Sequence, residues 1–168
     1  ACLDGRCGYI DLEGREIVPF SYDDAFLFCY GRGAVSKDGK WGYVDRNGRE
    51  VIGLSYDFAC NFLNGLAVVI LDGRYGLIDT NGNVRIPIQY DWAGALGEDG
   101  TITVMKDGCF GFVDAKGNEI APPIYDYAYD FNGGYAKVEL GGKTGYMDQK
   151  GRLAVPAVYD DPDGDKDR

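Results

Sequence analysis

The side chains that come nearest to chemistry in this chain are its carboxylates. One Asp returns at Asp11, Asp45, Asp79, Asp114 and Asp148, and a second at Asp23, Asp57, Asp91, Asp126 and Asp160. Two acids flanking a cleft at a set separation would suit glycoside hydrolysis. A residue that recurs once per unit at a turn, however, has a structural task once per unit. The first set therefore reads as turn caps and the second as caps of a connector. The rest of the catalytic repertoire is thin. The chain has no histidine, the commonest general base, and only three serines and four threonines, none in a nucleophile-elbow pattern. Gly142-Lys143-Thr144 matches the end of a phosphate-binding loop, but Lys137 stands where the first glycine belongs, and the segment aligns with a hairpin turn in every other unit. No catalytic residue and no cofactor is expected, and the protein is read as not an enzyme.

The elements that position these acids follow from a repeat. Gly8, Gly42, Gly76, Gly111 and Gly145 are spaced by 34, 34, 35 and 34 residues, each followed three residues later by Asp and six later by Gly. Such phasing marks a tandem array whose units bury their apolar faces against neighbours. Asp38-Gly39, Asp72-Gly73 and Asp107-Gly108 between strand-like runs predict hairpins. The extra residue in the fourth unit is assigned to its hairpin, Thr101 to Lys106, as a bulge or longer turn. A third strand runs to Pro19, Pro87, Pro122 and Pro156, with Gly53 in the second unit, and the proline is read as the strand's end. Tyr-Asp follows, then a segment whose spacing suits a single helical turn or tight loop.

Aromatic side chains form the other pattern. The chain holds 13 Tyr, 8 Phe and 2 Trp. Around each central Gly, Cys7 and Tyr9, Trp41 and Tyr43, Tyr75 and Leu77, Phe110 and Phe112, and Thr144 and Tyr146 share one face of a strand. Ile10, Val44, Ile78, Val113 and Met147 share the other. A strand apolar on both faces is normally buried on both, which makes the ladder inter-unit packing. The functional alternative is a row of stacking platforms, with Trp41, Tyr43, Tyr75, Phe110 and Phe112 as binding candidates for a sugar or a peptide.

The net charge of −10 disfavours a nucleic-acid partner, which would need clustered Lys and Arg. No apolar run approaches the ~20 residues of a membrane span, and membrane insertion is not expected. Cys2, Cys7, Cys29, Cys60 and Cys109 occupy five different repeat positions without a Cys-x-x-Cys pair, which with no histidine argues against zinc. They read as buried apolar fillers, the alternative being a disulfide of Cys29 with Cys2 or Cys7 in an oxidising compartment. Asp161, Asp163, Asp165 and Asp167 alternate around Gly164 as in oxygen-rich calcium loops, but without a closing Glu. They read as an acidic linker; a calcium site, like a disulfide, would favour an extracellular or cell-surface setting. The first unit carries only Ala1-Cys2-Leu3 ahead of its hairpin, so either the array is truncated or a strand comes from another chain.

Lys40-Trp41-Gly42-Tyr43-Val44-Asp45, with Gly48, the proline, Tyr-Asp and Phe-x-x-Gly-x-Ala-x-Val elements, resembles the WG-repeat family, also called KWG or WG β-repeat proteins, over nearly all of the chain. Cys7, Tyr75, Phe110 and Thr144 replace the Trp in the other units. The resemblance implies a mainly bacterial β-repeat module without an assigned activity or catalytic residues. The expected architecture is all-β: five units at about 1–32, 33–66, 67–100, 101–135 and 136–160, then an acidic tail at 161–168. Each unit is a three-stranded antiparallel meander plus a short helical or loop connector. An open elongated array is expected, with a closed five-bladed propeller as the alternative. The expected function is a structural or protein-interaction module, self-assembling head to tail; the alternative is a carbohydrate-binding module at a bacterial cell surface.

Overall fold

Two-residue turns with positive φ at both positions match the twist of the strands they join, and the chain builds a hairpin on each such pair. Asp38 and Gly39 have φ of 53° and 75°, Asp72 and Gly73 51° and 72°, and Asp107 and Gly108 53° and 80°. Asp4-Gly5 and Gly141-Gly142 do the same in the first and last hairpins. In this computed structural model, which describes residues 1–160, the result is an all-β chain without helices among the described residues.

Five separate antiparallel sheets follow one another along the sequence. Sheet 1 holds β1 (Cys2–Leu3), β2 (Arg6–Ile10) and β3 (Glu16–Tyr22). Sheet 2 holds β4 (Asp24–Cys29), β5 (Arg32–Lys37), β6 (Lys40–Val44) and β7 (Glu50–Tyr56). Sheet 3 holds β8 (Phe58–Ala59), β9 (Leu66–Leu71), β10 (Arg74–Asp79) and β11 (Val84–Tyr90). Sheet 4 holds β12 (Trp92–Ala93), β13 (Thr101–Lys106), β14 (Cys109–Asp114) and β15 (Glu119–Tyr125). Sheet 5 holds β16 (Tyr127–Ala128), β17 (Tyr135–Leu140), β18 (Lys143–Asp148) and β19 (Leu153–Tyr159). In every sheet the strands lie side by side in chain order.

Three expectations are corrected. The segment after Tyr-Asp is not a helical turn; it is a short strand (β4, β8, β12 or β16) that opens the next sheet, so four of the five sheets have four strands rather than three. The proline does not end its strand either. Pro19, Pro87, Pro122 and Pro156 sit in the middle of β3, β11, β15 and β19, which are outermost strands. Cys7 faces Tyr22 while Tyr9 faces Val18, so three residues of β3 bulge across Gly8 alone. A proline costs no ladder hydrogen bond in such a bulge on an edge. Finally, β13 and β14 pair without interruption, as β9 and β10 do. The extra residue of the fourth unit lies before β13, where Glu98-Asp99-Gly100 bridges Gly97 to Thr101 in place of the Asn64-Gly65 turn between Leu63 and Leu66.

The bulge explains the central glycine. A Cβ on Gly42 would stand 2.5 Å from the Ile52 carbonyl oxygen, and one on Gly8 2.5 Å from that of Val18. The backbone that approaches these glycines is their own sheet's outer strand, not a ligand.

Contacts divide the chain into two compact units, Ala1–Gln89 and Tyr90–Arg168. Within the first, Val18, Val35 and Val44 form a core between sheets 1 and 2, joined by Tyr9, Ala25 and Phe28. Trp41, Tyr43, Ile52, Ala59, Phe62 and Ile78 form another between sheets 2 and 3. Within the second, Phe112, Ala121, Tyr125, Ala136, Val138 and Met147 pack between sheets 4 and 5. β6 is thus sealed on one face by sheet 1 and on the other by sheet 3. Burial of an apolar side chain of this size stabilises by ~1.5–3 kcal/mol, and the same step is taken at each of these three interfaces.

Candidate functional site

The recurring carboxylates are engaged in structure. Asp45 accepts the Asn47 and Arg49 N–H groups at 2.8 and 3.0 Å, and its own carbonyl accepts Gly48 N–H at 3.0 Å. The same i+2 and i+4 bonds recur at Asp11, Asp79, Asp114 and Asp148. Hydrogen bonds led by the Arg15 and Arg49 amides hold Asp11 and Asp45 below the usual carboxylate range, and the Arg152 side chain does so for Asp148. At Asp79 and Asp114 loss of solvent pushes the other way, but the Asn83 and Asn118 hydrogen bonds outweigh it. These acids are turn caps, as their positions imply.

The Tyr-Asp set does something the sequence reading missed. Rather than capping its own connector, each of the first four reaches the hairpin turn of the next sheet. Asp23, Asp57, Asp91 and Asp126 accept the N–H of Asp38, Asp72, Asp107 and Gly141 at 2.7, 2.7, 2.6 and 2.6 Å. The other oxygen faces a cation of the preceding hairpin: Arg6 pairs with Asp23, Lys40 with Asp57 at 2.6 Å, and Lys143 with Asp160 at 2.5 Å. Asp57 therefore ties the hairpins of sheets 2 and 3. The Lys40 ammonium and the Asp72 amide hold its carboxyl below the ordinary range.

The aromatic candidates are largely covered. Tyr43 and Phe112 are fully buried and Trp41 is 8% exposed. The ring of Tyr43 lies 4.8 Å from that of Phe62, between β8 and β9, and its hydroxyl donates to the Cys60 carbonyl at 2.7 Å. Tyr9 against Phe28 (4.5 Å) and Phe112 against Phe131 (4.9 Å) repeat the contact. Trp41, Tyr43 and Phe112 thus have almost no exposed surface. Tyr75 and Phe110 are half-buried, and Phe110 lies between Trp92 at 6.4 Å and Tyr127 at 5.7 Å, both themselves partly exposed.

The cysteines pair otherwise than expected. Cys2 and Cys7 face each other across β1 and β2 and form a disulfide, while Cys29, Cys60 and Cys109 are free and half-buried. No cluster of metal-ligating residues is present among the described residues, and Asp161, Asp163, Asp165 and Asp167 lie outside them.

What remains open is an apolar groove of about 820 Å³ in the first unit. Ile10, Leu12, Ile17, Phe26, Leu27 and Arg46 are among the residues that line it. Leu12 is wholly exposed and Leu27 is 76% exposed. Their counterparts in the other units are Arg46, Thr80, Ala115 and Gln149 for Leu12, and Asn61, Ala95 and Asp130 for Leu27. That excess of apolar character in one unit is visible when the repeats are aligned position by position, which is the signal that could have found the groove. A second, polar hollow of about 360 Å³ in the second unit carries Glu98, Asp99 and Asp130. Two of its acids are occupied, Asp99 by the Thr101 hydroxyl at 2.8 Å and Asp130 by that of Thr103 at 2.8 Å.

Among solved structures, the chain is similar to KlHsv2 with loop 6CD replaced by a Gly-Ser linker, at 10% identity and a TM-score of 0.45. The likeness covers 83% of this chain and 55% of that one, so the chain spans about half of its length. No curated protein matches the sequence. The WG containing repeat matches five times, at residues 8–41, 41–75, 75–108, 110–143 and 145–161. With the repeat covering almost every residue from Gly8 onward, and one sheet-building unit behind each match, the chain belongs to the WG containing repeat family.

Proposed function

We propose that this chain is a non-enzymatic structural and protein-interaction module that engages other polypeptides, copies of itself among them, in head-to-tail contacts. The observation that carries this reading is the apolar groove around Ile10, Leu12 and Leu27: contiguous exposed apolar side chains on a soluble surface mark an interaction site. The recurring acids are bound up in turns and clips, which supports a structural role for them. An open arrangement of modules belongs to the proposal, since a head-to-tail contact that does not close gives filaments. Sedimentation velocity and light scattering across a concentration series test it. Association that grows with concentration is expected, and a monomer at all concentrations that also fails to retain any protein partner would overturn it.

Carbohydrate recognition is the second reading. It is favoured by one observation, the partly exposed cluster of Trp92, Phe110 and Tyr127, whose rings could stack on sugar faces. Glycan-array binding lost in Trp92→Ala, with the fold intact, would support it; an empty array would remove it.

A further inference from the structure

We infer that the hairpin of sheet 4 carries a receptor for a basic side chain. A Lys or Arg of a basic partner polypeptide reaches the Asp126 carboxylate beside the rings of Phe110 and Tyr127, and takes the place that a hairpin cation fills in other sheets. This rests on the protein-interaction reading above and names a site and a partner chemistry for it.

The internal repeats show which occupant fits. The residue that follows each hairpin turn is Arg6, Lys40, Arg74, Cys109 or Lys143. Register confirms that these positions correspond: Lys40 stands opposite Lys37 and Trp41 opposite Tyr56, as Cys109 stands opposite Lys106 and Phe110 opposite Tyr125. Arg6, Lys40 and Lys143 pair with Asp23, Asp57 and Asp160. Cys109 is shorter and brings no cation to its aspartate. Asp126 is exposed and keeps the Gly141 N–H at 2.6 Å, but it makes no ion pair among the described residues. Lys143, from the hairpin that Asp126 clips, is engaged by Asp160 at 2.5 Å.

The rings beside this carboxylate differ from their counterparts in the same way. Phe110 follows Cys109 in β14 and Tyr127 follows Asp126, and the two rings lie nearly parallel, 17° and 5.7 Å apart. Trp92 stands 6.4 Å from Phe110, and Trp92 and Tyr127 are each 39% exposed. In sheet 2 the matching pair, Trp41 and Phe58, belongs to the core. A guanidinium or ammonium group gains attraction from an aromatic face, and its methylene stem covers apolar surface on the way. A neutral sugar would use the rings alone, whereas the carboxylate beside them selects a cation. The net charge of −10 makes a basic partner the complementary one.

The probe is the peptide acetyl-Gly-Arg-Gly-amide, titrated into the isotope-labelled chain and followed by heteronuclear NMR, with its norleucine analogue as the neutral control. Saturable shifts are expected at the amides of Cys109, Phe110, Asp126 and Tyr127 and at the Trp92 indole N–H. The norleucine peptide should bind at least ~3-fold more weakly in the parent chain, a comparison that needs no substitution. Asp126→Asn keeps an oxygen for the Gly141 N–H and should weaken the Arg peptide by a similar ~3-fold. Cys109→Lys supplies the cation internally and should remove the preference for Arg over norleucine, while Cys109→Ser should bind like the parent. Circular dichroism checks that each variant is folded. Shifts spread over exposed carboxylates elsewhere in the chain, equal binding of the two peptides, or an Arg preference that survives in Cys109→Lys would each overturn the proposal. If the peptide fails while sedimentation still shows association, this site falls and the interaction reading stands; if both fail, both fall.

Discussion

Gly42→Ala and Gly53→Pro form a paired test of the bulge between β6 and β7. A Cβ on Gly42 would lie 2.5 Å from the Ile52 carbonyl oxygen and 2.7 Å from that of Gly53, where ordinary contact begins at 3.4 Å. These are backbone atoms, so no side-chain rotation relieves the clash, and β7 must retreat. Overpacking of this kind costs ~1–3 kcal/mol. The lower unfolded-state entropy of Ala returns only ~0.4–1 kcal/mol. The net expectation is a loss of ~1–2 kcal/mol, which for a chain of this size lowers Tm by about 3–8 °C. Gly53 faces the opposite situation: a Cβ there meets nothing nearer than the Glu50 carboxylate at 3.7 Å, its φ lies outside the left-handed region, and the four other units carry proline at its position. Gly53→Pro should therefore stabilise by ~0.4–1 kcal/mol. Thermal melts followed by circular dichroism and urea titrations read both. An unchanged or raised Tm in Gly42→Ala would refute the close approach, and a large loss in Gly53→Pro would refute the equivalence of the bulges.

Three further outcomes follow from the same geometry. Tyr43→Phe keeps the ring but removes the hydroxyl donated to the Cys60 carbonyl, and should cost ~1 kcal/mol in urea unfolding, with no change in the slope. Asp57→Asn weakens the clip to Lys40, and the resulting fall in urea midpoint should shrink in molar salt, because the pair is partly exposed and screened; a salt-independent difference would contradict it. Acid should unfold the chain. The turn aspartates Asp11, Asp45, Asp79, Asp114 and Asp148 have folded pKa values lowered from the ordinary one, so the native state binds fewer protons than the unfolded chain. The stability they supply is present above about pH 4 and drains away as pH falls through their folded values, so the urea midpoint at pH 3 should lie below that at pH 7.

What could be read in the sequence was whatever depends on local backbone chemistry. Asp38-Gly39 and its counterparts demand positive φ at both positions, so the hairpins were legible, and the Asp45-to-Gly48 turn carries its own acceptor and its own glycine. The phasing of Gly8 through Gly145 announced five like units, and the paired apolar faces announced that neighbours would cover Tyr43 and Phe112. What escaped depends on where a strand lies in its sheet. A proline such as Pro19 reads as a stop until β3 is seen to be an outer strand with a bulge, where a missing N–H costs nothing. Two-residue strands such as β8 and β12 are too short to show a period. Asp57 looks like a cap for the residues after it, because nothing local reveals that Asp72 N–H arrives from fifteen residues away. The Cys2–Cys7 bridge rests on cross-strand register, which spacing alone does not supply.

The central claim is that consecutive sheets seal one another through the aromatic step, and a double-mutant cycle across sheets 2 and 3 tests it most directly. Tyr43→Leu, Phe62→Leu and the double variant would be unfolded in urea under identical conditions. The 4.8 Å ring contact predicts a coupling of ~0.5–1.5 kcal/mol, the double variant losing less than the two single losses together. Losses that add within about 0.3 kcal/mol would contradict the claim, since rings that act independently do not hold one sheet against the next.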